Sequence, residues 1–156
     1  MNIQRTAYHE AGHAVMHIHL GVPFIDVSII SEEGSNGRVK TSTEGLDSSE
    51  MSADEIEANI YALFGGMAAE ELKFGEISRG IGDITDTEGD YRQISDHLMT
   101  LGEFDGEPFF LRTKEILTTR WSDVEAIAQA LLAKKRITFN EVLSTLAVSS
   151  NHDPGA

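Results

Sequence analysis

Residues 5–20 carry small and apolar side chains over most of their length, with Ala7, Ala11, Gly12, Ala14 and Val15 set around one polar stripe. That pattern predicts a helix closed by Gly21-Val22-Pro23, where glycine and proline end the helical hydrogen bonding. Phe24 to Ile30 is rich in β-branched residues. Arg38 to Thr43 is a second such run, separated from the first by the turn segment Glu32 to Gly37. Together they predict a β-hairpin, followed by a polar loop over 44–52.

Ser52-Ala53-Asp54-Glu55 has the form of a capping box. Behind it Ile56, Ile60, Leu63, Phe64, Met67 and Leu72 recur at helical spacing, which predicts a second long helix reaching Phe74. Gly65-Gly66 inside that helix costs about 1 kcal/mol per glycine relative to alanine. Such a cost signals close approach by another backbone, and the small-residue helix at the N-terminus is the natural neighbour. Gly75 to Gly89 is glycine- and acid-rich and is expected to be a loop. A helix from Tyr91 to Leu101 follows, then a break over Phe104 to Pro108. One or two helices run from Phe109 to Arg136 with Ser122 as a mid-segment cap, and a short helix spans Thr138 to Leu146. Residues 147–156 are expected to be a flexible tail. No repeat or linker divides the chain. The fold class expected is mainly α, one domain with a small β-hairpin after the first helix.

The polar stripe of the first helix is His9-Glu10-Ala11-Gly12-His13, a His-Glu-x-x-His pattern. Residues i and i+4 share a helix face, about 6 Å apart along the axis, so two imidazoles can reach one metal ion. Glu10 stands next to the first histidine, where it can address a water without ligating. Two neutral nitrogen ligands, an open coordination position and a carboxylate base are what a zinc hydrolase needs. A polar helix face with two histidines is the plainer reading. The apolar flanks weigh against it, because they would bury the stripe or line a cleft with it, and buried polar groups need partners.

Composition narrows the chemistry. The 156 residues are 40% hydrophobic, enough for one domain with its own core. Cysteine is absent, which excludes a disulfide scaffold, thiolate zinc ligands and a cysteine nucleophile. A metal must therefore be held by histidine and carboxylate. The formal net charge of −14 repels phosphate backbones, so nucleic acid is not an expected partner. No apolar run approaches a membrane span and no signal peptide is present, so the cytoplasm is the expected location. No Gly-Lys pair occurs, hence no P-loop.

A catalytic zinc usually has three protein ligands. His19 lies ten residues after His9, the metzincin offset, but Met16 stands where that pattern needs a helix-breaking glycine. On an unbroken helix His19 is rotated about 280° from His9 and cannot reach the metal. His17 is on the right face but a full turn too far, and reads as a helix-end histidine favourable to the dipole. Glu70 or Glu71 on the second long helix is another candidate, with a solvent-facing or supporting pair as the alternative. An aspartate of the acidic loop is the third.

Thr6 to Ala14, the Val-Ser-Ile-Ile run of the hairpin, Tyr61-Ala62-Leu63-Phe64-Gly65-Gly66-Met67-Ala68-Ala69-Glu70-Glu71 and Phe74-Gly75 together resemble the peptidase domain of FtsH-type proteases. The likeness runs in order from Thr6 to Leu98, and more weakly to Leu146. It implies a helical zincin-type metallopeptidase domain over residues 1–146, with a third zinc ligand supplied by an aspartate at the start of the helix after Glu71. The family pattern after that ligand is apolar at about +1, +4, +8 and +11. From Asp90 these positions are Tyr91, Ile94, Leu98 and Leu101, an amphipathic helix in phase. From Asp83 and Asp86 the phase is broken, although both stay open as alternatives, and an Asp opening a helix is often only an N-cap.

The resemblance thus implies a zinc endopeptidase with His9, His13 and Asp90 on Zn2+, Glu10 as general base and a polypeptide substrate; the missing P-loop predicts ATP-independent cleavage, of unfolded or flexible polypeptides. The first strand of the hairpin would offer a free edge to an extended peptide. Usual members carry a membrane segment and an ATPase module ahead of this domain, whereas this chain begins at it. It therefore reads as a stand-alone relative or an excised piece, acting as a homo-oligomer or with a separate ATPase partner. The alternative is an inactive module of the same fold that binds a partner protein. Retention of Glu10 argues against that, since a binding relic needs no base.

Overall fold

The computed structural model describes residues 3–30, 38–40, 51–77 and 87–151. Six helices and three short strands are formed among them: α1 (Ile3–Leu20), β1 (Asp26–Ser28), β2 (Arg38–Lys40), α2 (Ala53–Phe74), α3 (Thr87–Leu101), α4 (Glu107–Thr119), α5 (Trp121–Lys134), β3 (Arg136–Thr138) and α6 (Phe139–Asn151). The chain is mainly α, as its periodicity predicts. No helix among the described residues is long and apolar enough to cross a membrane.

The α1–α2 pair is the spine of the fold. α2 opens on a complete capping box, with the Ser52 hydroxyl accepting from the Glu55 amide and the Glu55 carboxylate accepting from the Ser52 amide. It closes on Gly75 in the left-handed region at φ 82°, where a side chain would be strained. Between these ends the two helices meet at glycine. A Cβ built on Gly12 would lie 2.1 Å from the Gly65 carbonyl oxygen, and one on Gly65 would lie 2.6 Å from the Gly12 carbonyl oxygen. The expected backbone contact is present, with hydrogen as the only side chain it admits.

Two apolar clusters flank this spine. On one side Ala7, Ala11, Val15 and Met16 of α1 pack with Leu117 of α4, Val124, Ile127 and Leu131 of α5, and Val142 of α6. On the other, Ile56, Ile60, Phe64 and Met67 of α2 meet Ile94 of α3, with Leu98, Leu101 and Phe110 packed around them. Each fully buried aliphatic side chain contributes about 1.5–3 kcal/mol.

Four sequence expectations change. The 109–136 segment is two helices joined at Arg120, and Ser122 lies inside α5 with no capping role. Pro108 is in the first turn of α4 and not in the preceding break, because proline's missing N–H costs nothing there. α6 continues to Asn151, past the expected end at Leu146. The largest change is β3. The sheet order is β2-β1-β3, with β1 antiparallel to both neighbours. Val27 faces Val39 on one side and Ile137 on the other. Both edges of β1 are therefore taken, and the free edge expected for a peptide on that strand does not exist. The expected turn over 32–37, the loop over 44–50 and most of the acidic loop lie outside the described residues.

His17 also departs from its expected role. It is buried against Phe24, and its Nδ1 donates to the Val22 carbonyl at 3.2 Å. Burial, aided by the charge of His13, lowers its pKa to about 4, so it is neutral and not a cation on the helix dipole.

Two predictions follow from this packing. Gly12→Ala forces backbone apart and should cost at least about 3 kcal/mol, roughly 10 °C in melting temperature. A parent-like melting curve would contradict the glycine contact. For His17, the unfolded chain gains a proton near pH 6.5 while the folded chain does so only near pH 4. Its contribution to stability is thus full above pH 6.5 and falls as the pH drops to 4, by at most about 1.4 kcal/mol per pH unit. Urea unfolding of His17→Gln across that window should show a shallower acid loss than the parent, and identical slopes would refute the assignment.

Candidate metal centre

His9 and His13 face α2 from one stripe of α1, one turn apart. Asp90 reaches them from α3. That helix begins at Thr87, so Asp90 sits within its first turns and is not an N-cap. His9 Nε2 lies 3.0 Å from Asp90 Oδ2, His13 Nε2 lies 3.1 Å from the same oxygen, and the two Nε2 atoms are 3.0 Å apart. All three residues are buried. Among the described residues this is the group of histidine and acidic side chains able to hold a metal ion. Asp83 and Asp86 lie outside the described residues.

The hydrogen bonds behind the histidines decide what the triangle can hold. His13 Nδ1 is 2.7 Å from the Ala62 carbonyl, which only accepts, so Nδ1 carries the proton. His9 Nδ1 is 2.7 Å from Glu70 Oε2, a carboxylate that likewise accepts. With Nδ1 committed in both rings, each Nε2 faces Asp90 Oδ2 with either a proton or a lone pair, and it is the lone pair that a metal would take. With lone pairs on both, three acceptors converge within 3.0–3.1 Å and repel one another unless positive charge lies among them. Three donors to one zinc at 2.0–2.1 Å in a tetrahedron stand about 3.3 Å apart, so the triangle fits such an ion to within a few tenths of an ångström.

The titration behaviour carries the same demand. Burial pushes the His9 pKa down, but the hydrogen bonds to Asp90 and Glu70, with the charges of Asp90 and Glu10, outweigh it and hold it well above the usual value. His13 is raised too, against burial, chiefly by Asp90. Burial would raise Asp90, yet the two histidines bring it down to about 2. A proton and a divalent cation compete for the same lone pairs.

Gly66 forms the wall behind this triangle. A Cβ there would fall 2.5 Å from His9 Nε2 and 2.7 Å from His13 Nε2. The Gly65-Gly66 pair thus has two separate tasks: Gly65 admits the α1 backbone, and Gly66 leaves room for the imidazoles. The sequence marks the pair as costly in a helix but does not divide the tasks.

The remaining candidates are resolved by position. Glu10 is buried beside the two histidines, and its charge acts on both. Glu70 supports His9 through Nδ1 instead of joining the triangle, and its other oxygen accepts from Arg5 Nη1 at 2.7 Å. Glu71 turns away to Lys114 at 2.5 Å. His19 is exposed, under the influence of Arg120 and Arg112, on the far side of α1. Arg5, which holds Glu70, is a neighbour of the site that the sequence did not single out. Its signal was the i, i+4 spacing to His9 on the same stripe.

The chain is similar to known proteins over most of its length. The chain is 31% identical to the ATP-dependent zinc metalloprotease FtsH of Magnetococcus marinus over 91% of its own length and 27% of that protein. It is 26% identical to the ATP-dependent zinc metalloprotease FtsH 1 of Sorangium cellulosum, covering 94% of this chain and 30% of the other. Half of the chain is 42% identical to FtsH 1 of Bdellovibrio bacteriovorus, over 12% of that protein. The chain spans less than a third of the length of these relatives. The sequence model of peptidase family M41 matches residues 2–96, a stretch that contains the glycine contact and every side chain of the triangle, and the chain belongs to that family.

Proposed function

We propose that the domain is a zinc-dependent endopeptidase in which His9, His13 and Asp90 hold the metal. The observation that carries this is the convergence of three acceptor atoms whose histidine partners have already committed their Nδ1 protons elsewhere. The M41 relationship supports the reading, since the relatives are named as zinc metalloproteases.

A zinc ion so held supplies Lewis-acid polarisation of the scissile carbonyl and acidifies water. Glu10 takes a proton from the attacking water at a carboxylate oxygen and delivers it to the leaving amine. Its burial keeps the carboxylate out of bulk solvent, where it would be free to rotate away. Glu70 and the Ala62 carbonyl fix the ring planes of the two histidines, so their Nε2 atoms are aimed before any ligand arrives. Retention of Glu10 beside the histidines favours this reading over an inactive module that binds a partner.

The substrate proposed is unfolded or flexible polypeptide. A peptide must be extended to enter a metalloprotease site, and a domain stable by about 5–15 kcal/mol rarely exposes such a stretch. The relatives are named ATP-dependent. This chain has no Gly-Lys pair and so no P-loop, and cleavage by it is ATP-independent. Attack on folded proteins would then require an ATPase partner or an assembly that unfolds them first. An acidic, cysteine-free surface suits the cytoplasm, the location that goes with this proposal.

Two measurements test the reading. Metal content by atomic emission should be about one zinc per chain, lost in His13→Ala and strongly reduced in Asp90→Asn, with Asp83→Asn and Asp86→Asn close to the parent. Damage from Asp83→Asn and none from Asp90→Asn would reassign the third ligand. Glu10→Gln should keep its zinc and lose turnover by at least about 100-fold on denatured casein, the scale of a lost general base. The parent should digest casein without ATP and leave a stably folded control intact. Undiminished cleavage by Glu10→Gln, or rapid digestion of the folded control, would overturn the mechanism.

A further inference from the structure

We propose that Arg5 is a positioning residue of the metal centre, acting on His9 through Glu70. The inference rests on the metal-site reading above and concerns what tunes that site.

Arg5 and His9 lie one turn apart on α1, and Glu70 on α2 bridges them. Arg5 Nη1 donates to Glu70 Oε1 at 2.7 Å, and His9 Nδ1 donates to Glu70 Oε2 at 2.7 Å. The carboxylate is completely buried, so both of its oxygens are used and its plane is fixed by the two donors. Arg5 itself is held on further sides. Its guanidinium lies 4.7 Å from the centre of the Phe74 ring, and Nη1 also donates to the Glu76 carbonyl at 3.2 Å. The end of α2, closed by Gly75, thus clamps the arginine that clamps the glutamate.

The two histidines of the stripe are supported differently. His13 leans on a neutral carbonyl, His9 on an anion. An anionic acceptor on Nδ1 makes Nε2 the stronger electron donor and locks the ring orientation. A buried carboxylate with one donor removed would rotate or seek another proton, and its hold on His9 would loosen. A buried ion pair is weak as a source of stability, so its presence here, one bond from a candidate ligand, points to orientation of that ligand. Arginine suits the place because Nη1 serves Glu70 and the Glu76 carbonyl while the flat guanidinium lies over the Phe74 ring, a contact a compact, strongly hydrated lysine ammonium makes less well.

The test is a zinc-affinity cycle on the full chain, by chelator competition at pH 7.5. Glu70→Gln should weaken binding about 10–100-fold and Arg5→Met at least about fivefold, as expected for losing a ligand's supporting partner. The double variant should bind no worse than Glu70→Gln alone, because Arg5 acts through Glu70. The cobalt-substituted Arg5→Met protein should also show shifted d–d absorption, which a purely structural arginine would not produce. Parent-like zinc affinity in Arg5→Met, or losses that multiply in the double variant, would overturn the proposal. If Arg5→Met does not fold, Arg5→Lys decides: a loss of at least about twofold is expected, and parent-like affinity overturns it. His13→Ala is the control. Zinc retained there would remove the metal-site reading itself, whereas zinc lost there with Arg5→Met unaffected would remove only this inference.

Discussion

The contact between the Gly12 and Gly65 backbones sets everything else in this domain. It brings α1 and α2 closer than side chains would allow, and it fixes their relative rotation and height. From that one register follow the approach of His13 to the Ala62 carbonyl, of His9 to Glu70, and of both imidazoles to the bare face at Gly66. Packed interiors have little slack. A shift by one residue along either helix would separate each of those pairs at once.

Charge is the second constraint, and it follows from the first. Close packing buries Glu10, Glu70 and Asp90 beside two histidines, in surroundings where water cannot compensate. Two of these acids have counterparts that offset the cost. Glu70 has Arg5 and His9, and Asp90 has the two Nε2 atoms. The last of these is a set of acceptors awaiting a cation, so the burial that costs stability also creates affinity for metal. His17, on the same face one turn further, is buried with a carbonyl partner and goes neutral. Histidines four residues apart on a single helix thus end in opposite charge tendencies, because Asp90 faces one and not the other.

Much of this was visible along the chain. The helix over the motif, the capping box at Ser52, the close approach at Gly65 and the hairpin pairing of β1 with β2 all come from local rules that tertiary contacts reinforce. Asp90 stood out through the pattern that the family resemblance implies, apolar at about +1, +4, +8 and +11 after an aspartate, which Tyr91, Ile94, Leu98 and Leu101 meet. The structure starts that helix earlier and still brings Asp90 to the histidines, since phase survives a shifted boundary. β3 was not visible. Three residues with one buried side chain, Ile137, have no periodicity of their own, and they are a strand only because β1 lies beside them.

The sequence by itself determined the helical class, the His-Glu-His stripe and the glycine pair that receives it, because each depends on residues within a few turns of one another. Tertiary structure alone decided three things: that Glu70 bonds His9 Nδ1 and stays outside the triangle, that Arg5 holds Glu70, and that β1 is enclosed on both edges. The physical reason is common to all three. A carboxylate on a helix has the same local signature whether it meets a metal, an imidazole or water, and a strand edge has the same signature whether paired or bare. Which partner arrives is fixed by elements tens of residues away, through packing that no local pattern encodes.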